Sequence, residues 1–362
     1  MKEQDAPLPP EGTPHAHYMR PLDGLRGIAC LLVVASHIAA ILNLNFKEDI
    51  YNIGSMGVVI FFALSGFLMS MLYSDKRFSL DASAKYVIAR MSRIAPAYWV
   101  AIAFVWILYL ILPSGYHYDM TPLAMLRSVF FMGNVGVFWS IPPEIQFYGF
   151  FLLLWFSYEK LKGGNFWWAA AVALLCLGFI ATRDLWGGLI LPSKIHIFLS
   201  GFLVAFMVKY EKIRRYLCHP AMQAALVAGA MLYAVYGLER HKIYDDLIIT
   251  ALIALSIGSL SRSTPFSASL ETQSMRLMGA ASFSIYLFHD AILQAIHTLG
   301  LINPAYETFN IIVMCLISIA IPVAFHVLAE KRLTVLARKK GMLAFERVSN
   351  RWPLKKLVPA GN

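Results

Sequence analysis

Leu22-Asp23-Gly24-Leu25-Arg26-Gly27-Ile28-Ala29-Cys30-Leu31-Leu32-Val33-Val34-Ala35-Ser36-His37-Ile38-Ala39-Ala40-Ile41-Leu42 is an apolar run that carries an arginine near its start and a histidine near its middle. Eleven helical steps return to within about 20° of the starting direction and climb about 16 Å, so Arg26 and His37 share one helix face. A helix of this length and apolarity reads as a membrane span, with the guanidinium near one surface and the imidazole near mid-bilayer. An ionisable group at that depth costs a few kcal/mol, so it faces a protein-lined cavity and marks a function, or else it is a buried ring bonded to a neighbouring helix.

Outward from this run the whole chain has the same character. Over 362 residues, 59% are hydrophobic and 14% charged, with a mean hydropathy of +0.62, which excludes an ordinary soluble domain. The reading is an all-α polytopic membrane protein. Ten apolar stretches are long enough to span, or nearly so: 25–45, 53–73, 94–112, 142–158, 166–182, 194–210, 219–238, 244–260, 276–300 and 308–329. Lysine and arginine give an independent check, since they collect on the cytoplasmic side. With the N-terminus inside, the inner segments hold 25 of the 31, and the outer loops hold only Lys47, Arg127, Arg183, Lys194, Arg240 and Lys242. Ten helices with both termini cytoplasmic follow. The division is a cytoplasmic segment over 1–20, a membrane domain over 21–330 and a basic cytoplasmic tail over 331–362.

The net charge of +10 is therefore topology, with Lys339, Lys340, Lys355 and Lys356 free to lie on anionic lipid. A nucleic-acid partner is not expected, because no soluble basic face with interleaved aromatics exists. The four cysteines show neither a disulfide framework nor metal spacing, and the first apolar run reads as a retained helix. The connection over 113–141 carries Tyr116, Tyr118, Phe130, Phe131, Phe138 and Trp139. Residues 121–132 read as a helix at the outer interface, with the aromatics as an interfacial belt or a ligand platform.

Three polar groupings stand out. Arg90 and Arg93, three apart at the inner mouth of the third span, form a paired guanidinium site suited to phosphates; alone they would be plain anchors, but with Arg26 they suit a polyphosphate ligand from the cytoplasm. Ser282, Tyr286 and His289, spaced by four and three, make a polar stripe on the ninth span, either as interhelical glue or as a cavity lining. At the start of the fourth span, Glu144 suits a helix cap, yet with Trp139, Gln146 and Tyr148 it also suits an outward-facing sugar site. Residues 61–67, Phe-Phe-Ala-Leu-Ser-Gly-Phe, supply small residues for close helix packing.

These residues together resemble the acyltransferase 3 family of integral membrane acyltransferases, which includes O-acetyltransferases of surface polysaccharides, O-antigen and nodulation factors and acylases of macrolides. The resemblance runs over 22–330. Its carriers are Arg26 and His37, the 61–67 stretch, the Arg90/Arg93 pair, and Ser-Ile-Tyr-Leu-Phe-His over 284–289. One departure is clear: relatives read Trp-Ser-Leu-Ser-x-Glu at the fourth span, where this chain has Pro142 and Pro143 before Glu144.

What the resemblance implies is an acyl-CoA donor, with acetyl-CoA the expected one, no metal, and O-acylation of a carbohydrate or glycoconjugate in the bacterial inner membrane. Arg26, Arg90 and Arg93 would hold the CoA phosphates. His37 would be the general base, or accept the acyl group itself, and His289 or Tyr286 would donate to the thioester oxygen. Glu144, Trp139 and Tyr148 would orient the acceptor. A secondary transporter or flippase is the alternative from another class, but it calls for inverted repeats and the chain shows none.

Overall fold

The computed structural model describes residues 19–45, 47–112, 115–237 and 242–351; the segment before residue 19, Arg240 and the lysines at 355 and 356 lie outside them. The described residues are helical, with no strand. In chain order they form α1 (Arg20–Ile41), α2 (Lys47–Tyr73), α3 (Leu80–Ile111), α4 (Pro122–Val129), α5 (Ile141–Lys162), α6 (Trp167–Ala181), α7 (Leu191–Met207), α8 (Glu211–Leu217), α9 (Pro220–Leu232), α10 (Leu247–Ser259), α11 (Gln273–Thr298), α12 (Glu307–Phe325) and α13 (Lys331–Arg351). A 3₁₀ turn, Gly136–Ser140, leads into α5, and π turns at Tyr233–Gly237 and His326–Glu330 extend α9 and join α12 to α13.

Local chemistry sets the helix starts. Ser79 Oγ accepts from the Ala82 N–H at 3.1 Å to cap α3, Asp246 caps α10 through the N–H groups of Ile248 and Ile249, and Thr272 caps α11. Pro142 and Pro143 fall in the first turn of α5, where the missing N–H groups have no helical partner to lose. The departure from the family pattern thus leaves a normal helix start.

All ten apolar stretches lie mainly on helices. Among the described residues, six helical runs are long and apolar enough to cross a membrane, and a seventh results if α7 and α8, bent by 114°, count as one span. Helices α6 and α10, with 15 and 13 residues, reach only about 22 and 20 Å at 1.5 Å per residue. The 26 residues of α11 carry the buried polar stripe that lowers its hydropathy.

The interior is a row of close-packed helices in which α1 lies between α11 and α2, and α2 between α1 and α7. Glycines permit these crossings. A Cβ on Gly66 would stand 1.9 Å from the Phe198 carbonyl oxygen, and one on Gly201 would stand 1.9 Å from that of Ala63, so α2 and α7 touch backbone to backbone at reciprocal positions. The packing role expected for 61–67 is what this crossing performs. Outside the row, α10 packs on α7, α9 and α2, α12 covers α11, and α13 leans against α3.

The connection before α5 is not an aromatic belt. Helix α4 forms where the sequence predicts it and Phe130 is exposed, but Tyr116, Tyr118 and Phe138 fold inward and are buried. The polar tips drive this: the Tyr118 hydroxyl donates to Asp290 Oδ2 at 2.7 Å and that of Tyr116 to the Ala291 carbonyl at 3.3 Å.

Because the α2/α7 crossing has no room for a side chain, Gly201→Leu is expected to cost about 1–3 kcal/mol. A lowered unfolding midpoint of the detergent-solubilised protein checks this, with exposed Gly178, whose Cβ would meet open space, as the neutral control site.

Candidate active site

A cavity with about 720 Å³ of empty space opens between α1, α2, α3, α5 and α11. Arg26 from α1 and Arg90 and Arg93 from α3 all line it. The sequence reading pairs Arg90 with Arg93 by helical phase and adds Arg26 from the same mouth of the bundle, and in the structure all three line one cavity. Arg90 Nη2 donates to the Tyr73 hydroxyl at 3.2 Å, with the guanidinium 5.4 Å from the centre of that ring. Against these three cations the described lining of the cavity has one carboxylate, Glu144.

Glu144 and Tyr148 line the same cavity. The sequence reading set them apart in an outward-facing sugar site; here the first turns of α5 pack beside α2 and α3, so the carboxylate shares the guanidinium space. Glu144 Oε1 accepts from Ser65 Oγ at 3.0 Å and from the Tyr148 hydroxyl at 2.7 Å. Trp139 is not with them. It packs edge-on against Phe62 and Tyr244, with ring centres 6.3 and 5.2 Å away.

His37 does not line the cavity either. Its Nδ1 lies 2.8 Å from His289 Nε2, with the two rings within 8° of parallel. His289 Nδ1 is 2.9 Å from the carbonyl oxygens of both Ile285 and Tyr286, so that nitrogen carries the proton and donates to them. Its Nε2 is then an acceptor, His37 Nδ1–H donates to it, and His37 Nε2 keeps a lone pair. Asp290 Oδ1 stands 3.8 Å from His37 Nδ1. Burial, reinforced by Asp290, holds the Tyr118 phenol well above its ordinary range, so it stays a donor to that carboxylate.

Tyr286 connects the two regions. It lines the cavity together with Phe61, which it meets edge-on at 6.1 Å, and its ring centre is 5.9 Å from that of His289. Its hydroxyl donates to the Val137 carbonyl at 3.1 Å. The stripe of Ser282, Tyr286 and His289 is therefore split: the first two line the cavity and the third holds His37.

Sequence reasoning assigned no chemistry to Ser65, Tyr73, Tyr118 or Asp290. Asp290 had a legible signal, an acid deep in an apolar helix next to a histidine. Ser65 was read only as a small packing residue, and nothing local marks Tyr73 or Tyr118. Among the described residues, no three His, Cys, Asp or Glu side chains are grouped to hold a metal ion.

Residues 20–327 match the acyltransferase 3 family model, described as an acyltransferase domain. The chain belongs to this family. It is 25% identical to SAS0844 of Staphylococcus aureus, which carries the provisional name of an O-acetyltransferase, over 90% of this chain and 58% of that protein. It is 26% identical to the acyltransferase MdmB of Streptomyces mycarofaciens over 77% of this chain and 80% of the relative. The peptidoglycan O-acetyltransferase OatA of Listeria monocytogenes is 22% identical over 76% of this chain and 49% of its own length. The chain thus spans a little over half the length of the staphylococcal relative. No solved structure matches it.

Nitrogen-15 spectra of histidine-labelled protein check the proton arrangement. His289 is expected to be protonated at Nδ1 alone and His37 to have an unprotonated Nε2; a proton on His289 Nε2 contradicts the hydrogen-bond pattern.

Proposed function

We propose that the protein is an integral membrane O-acyltransferase that moves an acyl group, acetyl in the first instance, from acyl-CoA to a hydroxyl of a carbohydrate or glycoconjugate. The carrying observation is the cavity whose described lining sets three guanidinium groups against a single carboxylate, Glu144. Guanidinium forks bind phosphate oxygens bidentately, and CoA presents both a pyrophosphate and a 3′-phosphate. The names of the relatives, which include O-acetyltransferases, point the same way for the group transferred.

In this reading the chain crosses the bacterial inner membrane ten times with both termini cytoplasmic, as the distribution of lysine and arginine supports. Arg26, Arg90 and Arg93 then face the cytoplasm and hold the CoA phosphates. The pantetheine arm rises about half a bilayer, roughly 15 Å, toward Tyr286 and the imidazole pair. Because Tyr286 and Phe61 stand between the cavity and His37, contact with the thioester requires that edge-on pair to part.

The step itself balances simply. The acceptor hydroxyl gives its proton to His37 Nε2, its oxygen bonds to the thioester carbon, the carbon–sulfur bond breaks, and the CoA thiolate recovers the proton from the imidazolium. His289 fixes the His37 tautomer, and Asp290 favours the transient imidazolium electrostatically. The Tyr286 hydroxyl, released from Val137, donates to the carbonyl oxygen as negative charge develops. Glu144, Ser65 and Tyr148 form the polar wall along which the pantetheine amides pass.

Two measurements test this. Arg90→Ala with Arg93→Ala is expected to weaken acetyl-CoA binding to purified protein by about two orders of magnitude, since two charge-assisted contacts are lost; unchanged affinity overturns the phosphate assignment. His37→Ala is expected to leave CoA affinity within about twofold and to lower turnover of radiolabelled acetyl-CoA by about 10²–10⁴-fold. Normal turnover in folded protein removes the imidazole from the chemistry, and export of a labelled glycan without acyl transfer establishes the transporter instead.

A further inference from the structure

A second opening lies between the far ends of α1, α11 and α12, with about 960 Å³ of empty space. It is lined by His297 and Gly300 beyond the polar stripe of α11, by Ile41 and Leu42 at the end of α1, and by Glu307 and Asn310 at the start of α12. Three observations tie it to the imidazole pair. Ile41 follows His37 by four residues, so His37 lies one turn below on the same face of α1, and 34% of its side-chain surface is open. On α11, Asp290, Gln294 and His297 are spaced by four and three and form one continuous polar edge that climbs from His37 to the opening, with Gln294 Nε2 donating to Asp290 Oδ1 at 3.4 Å. Asn310 is buried and held by the Asn303 carbonyl at 2.8 Å, which fixes its amide at the rim.

We propose that this opening is the acceptor subsite, and that it takes an uncharged, hydroxyl-rich glycan. The inference rests on the acyltransfer reading and gives the two substrates separate entrances at opposite ends of the bundle. Charge sorts them. The first cavity presents three guanidinium groups against the single Glu144 carboxylate, whereas the second is lined by the Glu307 carboxylate and, among the described residues, by no lysine or arginine. A carboxylate, an amide and an imidazole around one cleft match the donor and acceptor pattern of sugar hydroxyls and repel a phosphorylated ligand. A glycan seated there extends one hydroxyl down the Asp290, Gln294 and His297 edge to the lone pair of His37 Nε2. The role expected of Glu144, Trp139 and Tyr148 in holding the acceptor passes to His297, Glu307 and Asn310.

The test uses the full chain in the cell that makes it and needs no purified acceptor. His297→Cys is treated in intact cells with a membrane-impermeant polyethylene glycol maleimide, and the alkali-labile acyl groups on cell-surface material are then followed. The adduct, made after folding, is expected to form from outside above the background of the unsubstituted chain and to lower new acylation by about tenfold or more, while CoA binding to the purified adduct is unchanged. The same adduct on exposed Leu185→Cys, remote between α6 and α7, is expected to leave acylation within about twofold. If the His297→Cys adduct forms but acylation continues, or if only cytoplasmic reagent reaches it, the subsite is overturned. If deletion of the whole chain leaves surface acylation as it was, the acyltransfer reading falls, and the subsite with it.

Discussion

Three cations that share one cavity in an apolar bundle, with Glu144 as the one carboxylate in its described lining, are a cost that the rest of the fold has to sustain. Two unit charges within about 8 Å repel by about 2 kcal/mol at an effective dielectric of about 20, and each also loses hydration. Glu144, already hydrogen-bonded by Ser65 and Tyr148, offsets this only in part. The ring and hydroxyl of Tyr73 steady Arg90 without neutralising it. In the proposed reading an anionic ligand supplies the remaining negative charge. The glycine crossings bring α1, α2 and α7 to backbone contact and so fix the α1 side of the cavity, which carries Arg26, while Arg90 and Arg93 come from α3.

The imidazole pair obeys a different constraint. Two neutral rings share one proton axis, and its direction is set by the Ile285 and Tyr286 carbonyls rather than by a charge. A carboxylate contacting His37 directly would commonly fix the tautomer. Here Asp290 stands 3.8 Å off and is occupied by Tyr118. The buried loop before α5 therefore acts on the site, since its tyrosine hydrogen-bonds the carboxylate that faces His37.

Helical phase explains why so much of this was legible. Arg26 and His37, Arg90 and Arg93, and Ser282, Tyr286 and His289 all lie within single helices, where spacing alone fixes direction. Contacts between helices were legible only where chemistry forced them. Two intramembrane histidines on α1 and α11 had reason to meet, and they do. Glu144 was misplaced because a helix start gives its direction but not its depth beside α2 and α3. Trp139 was grouped with Glu144 by adjacency in sequence, yet the 3₁₀ turn over Gly136–Ser140 sends its ring to Phe62 and Tyr244. Span number was blurred for a related reason: α6 and α10 are too short, and α11 too polar, for apolar length to count them.

Separation of the guanidinium cavity from His37 by Tyr286 and Phe61 bears on how water is handled. An acyl thioester beside a basic imidazole is open to hydrolysis whenever water reaches both, and closing an active site prevents such side reactions. An open channel from the phosphate site to His37 would join the base to the wet entrance permanently. In the proposed mechanism Tyr286, which lines the cavity and lies beside His289, keeps thioester and base apart until both substrates are seated. The Tyr286 hydroxyl, buried and already bonded to Val137, has a partner in the closed arrangement and finds another in the thioester oxygen when it moves. The exchange of one hydrogen bond for another keeps the energetic difference between the two arrangements small, and this lets substrate binding decide between them.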